Sequence, residues 1–269
     1  MPTIDLGPLG AVLSPAEDGY VSRAAELEQA GYSTIWITGG PMSDLSQLAD
    51  VVRGTTTATI ASGIIPVVRF PSYDVITLYS SLRDTHPGRF VVGLGGAHGP
   101  DPMGTLSSYL DRLDGAVPQE ARVMAALGPR MVELSRDRAS GAFPVLVTPD
   151  YVAEMRSLLG ADSTLAVEQL VVLEDDPATA RALARNPLGF LGAVPAYQAS
   201  FRRQGFSADE GADLSDRLVD GLVAWGDDDA ISARLGALRA SGADHVAISV
   251  VADGSVTLEQ WERVATLAA

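Results

Sequence analysis

Short apolar runs alternate along the chain with longer stretches in which apolar positions recur every three or four residues. Eight runs read as strands: Ile4–Val12, Thr34–Thr38, Ala58–Ile64, Phe90–Gly95, Arg122–Leu127, Phe143–Val147, Ala166–Leu173 and His245–Val250. Most are apolar without alternation, the pattern of parallel strands buried on both faces. The stretches between them read as helices. Ser14 is placed as an N-cap, with Pro15 at the first helical position, Glu17 closing a capping box, and a stop at Gly31. A second helix starts near Thr148 and stops at Gly160, and three aspartates, Asp227–Asp229, sit where a helix dipole favours them. Eight strands alternating with helices predict an α/β fold, a (β/α)8 TIM barrel. A doubly wound open sheet is the alternative, and the count of eight favours the barrel. About 70 residues separate strands seven and eight, and "NPLGFLGAVPAYQASFRRQGF" and "DLSDRLVDGLVAW" within them read as extra helices of the same domain.

Composition narrows the setting. The chain has 269 residues, close to the roughly 250 of a one-domain barrel, so residues 1–269 are read as one domain. Apolar residues make up 46%, enough for a large core, and the net charge is -15. That charge argues against nucleic acid or an anionic membrane as a partner, since both need clustered Lys and Arg. Cysteine is absent, which excludes disulfides, thiolate catalysis and cysteine-ligated metal. No basic segment followed by an apolar stretch opens the chain, and no run reaches the roughly 18 apolar residues of a membrane span. A cytoplasmic protein acting on a small molecule is the expectation.

Barrel active sites lie at the C-terminal ends of the strands. "GLGGAHG" stands at the end of strand four, where glycines let a flat ring or a phosphate approach the backbone. The same glycines, Gly93 and Gly95 first, also suit simple relief of crowding inside a barrel. His98 follows them, with no carboxylate near in sequence to orient it. At "AALGPRMVELSRDRASG" a strand gives way through Gly128 and Pro129 to a helix opening at Arg130, an arrangement suited to an anion or to a plain turn. Gly63 ends strand three with Arg69 just beyond, either facing the site or forming a surface ion pair. Three histidines in separate elements suggest no shared metal site.

Together these stretches resemble the bacterial luciferase-like monooxygenase superfamily, in particular an actinobacterial branch of oxidoreductases that use the deazaflavin coenzyme F420. The likeness runs over nearly the whole chain and is carried by "GYSTIWI", "GRFVVGLGGAH", "AALGPRMVELSRDRASGAFPVLVTPDY", "VVLEDDPATARALAR", "DRLVDGLVAWGDDDAI" and "SGADHVAISV". The resemblance implies a deazaflavin at the mouth. Its ring would lie near Ser62, Gly63 and Ile64, over a bulged or cis peptide, and beside Gly93 and Gly95. Its phosphate would lie near Gly128, Pro129, Arg130, Met131 and Thr148, with Arg69 and the Arg202–Arg203 pair as further positive charge. It also implies hydride transfer to or from a small organic substrate, and a homodimer. The departures concern proton transfer. Where relatives carry an acidic residue or histidine after the strand-two tryptophan, this chain has Gly39 and Gly40; the segment after His98 is shortened; and Asn-Tyr becomes Ala196-Tyr197. His98, then Tyr197, are the remaining acid–base candidates. A member that binds its ligand without turnover, or one that uses flavin mononucleotide (FMN) as a monooxygenase, remain the alternatives.

Overall fold

The computed structural model describes residues 5–97 and 99–268. Ten strands form one parallel sheet: β1 Leu9–Leu13, β2 Thr34–Thr38, β3 Thr59–Gly63, β4 Ile65–Pro66, β5 Phe90–Gly95, β6 Arg122–Met124, β7 Gly141–Ala142, β8 Thr164–Val172, β9 Val223–Trp225 and β10 His245–Val250. Pairing runs β1–β2–β3–β5–β6–β7–β8–β10 and returns from β10 to β1, which closes an eight-stranded barrel. The predicted barrel is therefore present. β4 continues the third stave beyond a break, pairing Ile65 with Leu94 and Pro66 with Gly95. The extra helices between the seventh and eighth staves are also present, at Pro177–Gly192, Pro195–Arg203, Ala208–Asp213 and Asp216–Leu222.

Several boundaries differ from the sequence reading. The first strand begins at Leu9, because Gly7 turns the chain at φ +63° just before it; Ile4 lies outside the described residues. The Ser14 capping box does not form. Residues 15–19 are turns and the helix opens at Tyr20, after Gly19 in the left-handed region at φ +75°, whereas the stop at Gly31 holds. The sixth stave pairs only at Gly141–Ala142, since Pro144 offers no N–H and Leu146 adopts φ +57°, leaving a single bridge from Val145 to Glu168. The stretch "VAW", read as helix, is β9, which pairs Val223–Trp225 with Leu170–Val172 beside the open upper edge of β8. The helix ends at Thr148, Gly160 and Asp227 stand as read: Thr148 and Asp227 each accept a backbone N–H in the first turn.

Two layers of core hold the barrel. Outside it, side chains such as Leu48, Leu110, Val152 and Leu235 are fully buried between staves and helices. Inside it, Val12, Trp36, Ala61, Val91, Val123, Phe143, Ala166 and Ala247 fill the lumen. The Trp36 and Phe143 rings stack face to face, centroids 3.9 Å apart. The Trp36 indole donates to His245 Nε2 (3.0 Å), so the imidazole proton sits on Nδ1 and donates to the Gly7 carbonyl (2.8 Å). Burial lowers the His245 pKa to about 4, which makes it a neutral core histidine. Among the described residues no helix is long and apolar enough to cross a membrane.

Candidate active site

The sequence-predicted residues form an arc on the C-terminal rim, from the third stave to the sixth. Trp36 and Phe143 make the floor beneath it, packed against Gly63. The ladder between β3 and β5 stops after Ala61–Val91 and resumes at Ile65–Leu94. In the gap, the buried Ser62 hydroxyl donates to the Gly93 carbonyl (2.9 Å) and accepts from the Gly93 N–H (2.8 Å). Ser62 thus replaces the missing ladder bonds, and its hydroxyl is engaged by the chain. The Gly63–Ile64 peptide is cis. A Cβ built on Gly93 would overlap the Ser62 carbonyl, and one on Gly95 would press on Ala125 and the Ile64 side chain. These two glycines therefore serve close strand approach at the break. The surface they leave at the rim is that of Ile64, Gly96 and Ala125, small and apolar enough for a flat ring.

Gly39 has a related explanation. A side chain there would collide with the Ile64 carbonyl, whereas one at Gly40 would meet open space. The Arg69 guanidinium, expected as a cofactor contact or a surface ion pair, donates instead to the carbonyls of Gly39 (3.2 Å), Gly40 (2.7 Å) and Met42 (2.5 Å) and fixes the loop after β2.

The other end of the arc gathers Gly128, Pro129, Arg130, Met131 and Thr148. Two helices begin here side by side, Pro129–Arg138 and Pro149–Leu159, and the Tyr151 hydroxyl of the second donates to the Leu127 carbonyl (3.1 Å). Pro129 has no N–H, and that of Met131 returns to the Gly128 carbonyl (2.9 Å), which leaves the N–H of Arg130 for a ligand. The Arg130 side chain is exposed and, among the described residues, makes no ion pair. Arg203 lays its guanidinium on Gly128 and donates to Leu127 (3.3 Å). The Thr148 Oγ1 accepts from the Tyr151 N–H (3.3 Å) and retains its own hydrogen as a donor. Gln204 clamps the approach, donating to the Leu146 carbonyl (3.0 Å) and accepting from the Thr148 N–H (2.8 Å). Two guanidinium groups, a hydroxyl and a helix terminus are a donor set that fits a phosphate. Asp150 and Glu154 line the same cleft and oppose it.

His98 lies outside the described residues; the chain reaches the rim at Ala97 and resumes at Gly99. Tyr197 sits in the first turn of the helix Pro195–Arg203 and packs on the cluster of Leu170 and Val172, on the seventh stave. Beneath it is a residue the sequence reading missed. Glu168 follows Ala166 on the lumen face of β8, opposite Ala247 and Val145. Burial raises its carboxyl to about 7, and burial first, then the Glu168 charge, raises the Tyr197 phenol. The signal was present as one carboxylate in the otherwise apolar run "TLAVEQLVV", where parity along the strand points it inward.

The comparisons with known proteins agree with this barrel. Residues 116–245 match the family model described as "Luciferase-like monooxygenase". No curated protein matches the chain in sequence. Among solved structures, the chain is similar to an F420-dependent secondary alcohol dehydrogenase in complex with an F420-acetone adduct, at TM-score 0.75 and 15% identity over 97% of this chain and 99% of that one. It is similar to a coenzyme F420 dependent tetrahydromethanopterin reductase from Methanopyrus kandleri, at TM-score 0.72 and 15% identity over 96% and 97%. It is also similar to the oxygenating constituent of an FMN-bound 3,6-diketocamphane monooxygenase from Pseudomonas putida, at TM-score 0.70 and 12% identity over 97% and 98%. At these identities the solved structures speak for the fold. The family match on residues 116–245 covers just under half of the chain, and there the sequence is similar to the luciferase-like monooxygenases.

Proposed function

We propose that the protein is an F420-dependent oxidoreductase that exchanges hydride between the deazaflavin and a small organic substrate. The observation that carries this reading is the rim arc: a small apolar surface at Ile64, Gly96 and Ala125 continues, stave by stave, into a phosphate-type donor set at Gly128, Arg130, Thr148 and Arg203. A flat ring with a phosphorylated tail suits that order. Two solved barrels of similar shape are F420-dependent. The deazaflavin supplies hydride chemistry at carbon, and the chain's own residues place it, exclude water and handle the proton. His98, which follows Ala97 in sequence, and Tyr197 over the mouth are acid–base candidates in this reading. A homodimer in the cytoplasm belongs to the same proposal.

Fluorescence titration of the purified protein with F420 and then with FMN tests it. Saturable F420 binding with little response to FMN supports the reading; the reverse order makes the protein an FMN enzyme. The backbone closure at Gly39 favours a second reading, a family member that holds its ligand without turnover. Tight F420 binding with no reduction or oxidation of the bound cofactor by any of a panel of alcohols, aldehydes and imines would select it.

A further inference from the structure

After strand two the rim carries Gly39 and Gly40, which have no side chain to move a proton, and Gly39 cannot accept one without displacing Ile64. The lumen offers a substitute on the opposite wall. Glu168 occupies the fifth position of β8, one step nearer the mouth than Ala166, and Ala166 belongs to the lumen cluster with Trp36 and Phe143. A buried carboxyl in a stave normally has an arginine or a hydrogen-bond partner. Among the described residues Glu168 has neither, although it keeps some contact with solvent through the mouth. Its facing groups are uncharged in every direction the structure gives: Ala247 on β10, Val145 after β7, Leu170 on its own strand, and the Tyr197 phenol from the inserted helix.

We propose that Glu168 exchanges a proton with the substrate in this mouth and that the substrate is an uncharged oxygen or nitrogen compound. The second half follows from the surroundings. The basic residues described near the site, Arg130 and Arg203, stand at the far end of the arc, so an anionic substrate beside Glu168 would meet a carboxylate with no compensating cation. The proton step rests on the hydride reading. A bound deazaflavin would supply the hydride acceptor for the substrate's C–H bond; Glu168 would take the proton of the adjacent O–H or N–H bond, forming its own O–H bond. In the reducing direction both transfers reverse. Burial holds the carboxyl at a pKa of about 7, where it can act either way near neutrality.

Dicyclohexylcarbodiimide, an uncharged apolar reagent that attacks protonated carboxylic acids, tests the wild-type protein directly. Peptide mapping by mass spectrometry between pH 5.5 and 9 should find Glu168 modified ahead of every other carboxyl, with a rate falling about tenfold per unit above its midpoint. Modification spread over surface carboxylates, or independent of pH, overturns the assignment. Cyclohexanone should slow labelling, and the similarly sized anion cyclohexanecarboxylate should not; protection by the anion alone overturns the uncharged substrate. F420 should also slow it, and labelling that F420 leaves unchanged in protein that binds F420 removes Glu168 from the cofactor's neighbourhood. Protein that binds no F420 yet labels at Glu168 with the expected profile keeps the proton group and fails the cofactor reading alone. In F420-loaded protein, E168Q should lower turnover by about a hundred- to ten-thousandfold with cofactor affinity kept; unchanged turnover overturns the proposal.

Discussion

Replacing Glu168 by Gln removes the carboxyl's titration while keeping its size, and the effect on stability should depend on pH in one direction. A solvated glutamate ionises near 4.5, whereas Glu168 in the fold ionises near 7. A raised pKa means that the stability associated with this group is fully present below about 4.5 and is lost as pH rises through about 7. Each unit is worth about 1.4 kcal/mol, so the shift corresponds to a ceiling of about 3 kcal/mol at alkaline pH. Contact with solvent through the mouth lowers that figure, and about 1.5–3 kcal/mol is expected. E168Q should therefore match the wild type near pH 4.5 and exceed it at pH 8.5, by about 3–9 °C in melting temperature for a chain of this size. The assay is thermal unfolding followed by circular dichroism at matched ionic strength across that range. A difference that does not change with pH, or a wild type more stable than E168Q at pH 8.5, would refute the placement of an unpaired carboxyl in the lumen.

Arg130→Ala removes the exposed guanidinium at the anion end and should weaken F420 binding about ten- to a hundredfold, measured by fluorescence titration; an unchanged dissociation constant would remove the phosphate from this end. His98→Ala should cut turnover by about a hundred- to ten-thousandfold with F420 affinity nearly intact if His98 is an acid or base, and equal losses in both would make it a contact of the bound cofactor. His245→Gln keeps an acceptor for the Trp36 indole and removes a group whose pKa is lowered to about 4, so the wild type's loss of stability as pH falls from about 6.5 through about 4 should flatten in the variant. Urea melts at pH 4, 5, 6 and 7 decide this, and parallel slopes in the two proteins would contradict it.

The alternation of apolar runs with 3.6-residue patterns was enough to give eight staves, their order and the inserted helices, because a parallel barrel buries each strand on both faces and leaves that record in the sequence. The caps at Thr148, Asp227 and Gly160 were legible for the same kind of reason: they are local, decided by a side chain or a missing Cβ within one turn. Ser14 failed because Gly19 offered a later start that no local rule ranks above it. β7 shrank to two residues where Pro144 and the positive φ of Leu146 interrupt the stave, and the Leu146 carbonyl is bonded by Gln204 across 58 positions. The site divides the same way. Gly128, Pro129 and Arg130 could be read as an anion end or a plain turn from their turn chemistry, and Met131 and Thr148 joined them only through the resemblance. That Ser62 bonds to Gly93, that Arg69 holds carbonyls, and that the Ile64 carbonyl closes position 39 depend on which strand lies beside which. Glu168 shows the boundary most clearly. The sequence placed a charge inside an apolar strand, and only the closed barrel, by leaving it no partner among the described residues while keeping it in contact with solvent, turned that charge into a candidate proton carrier.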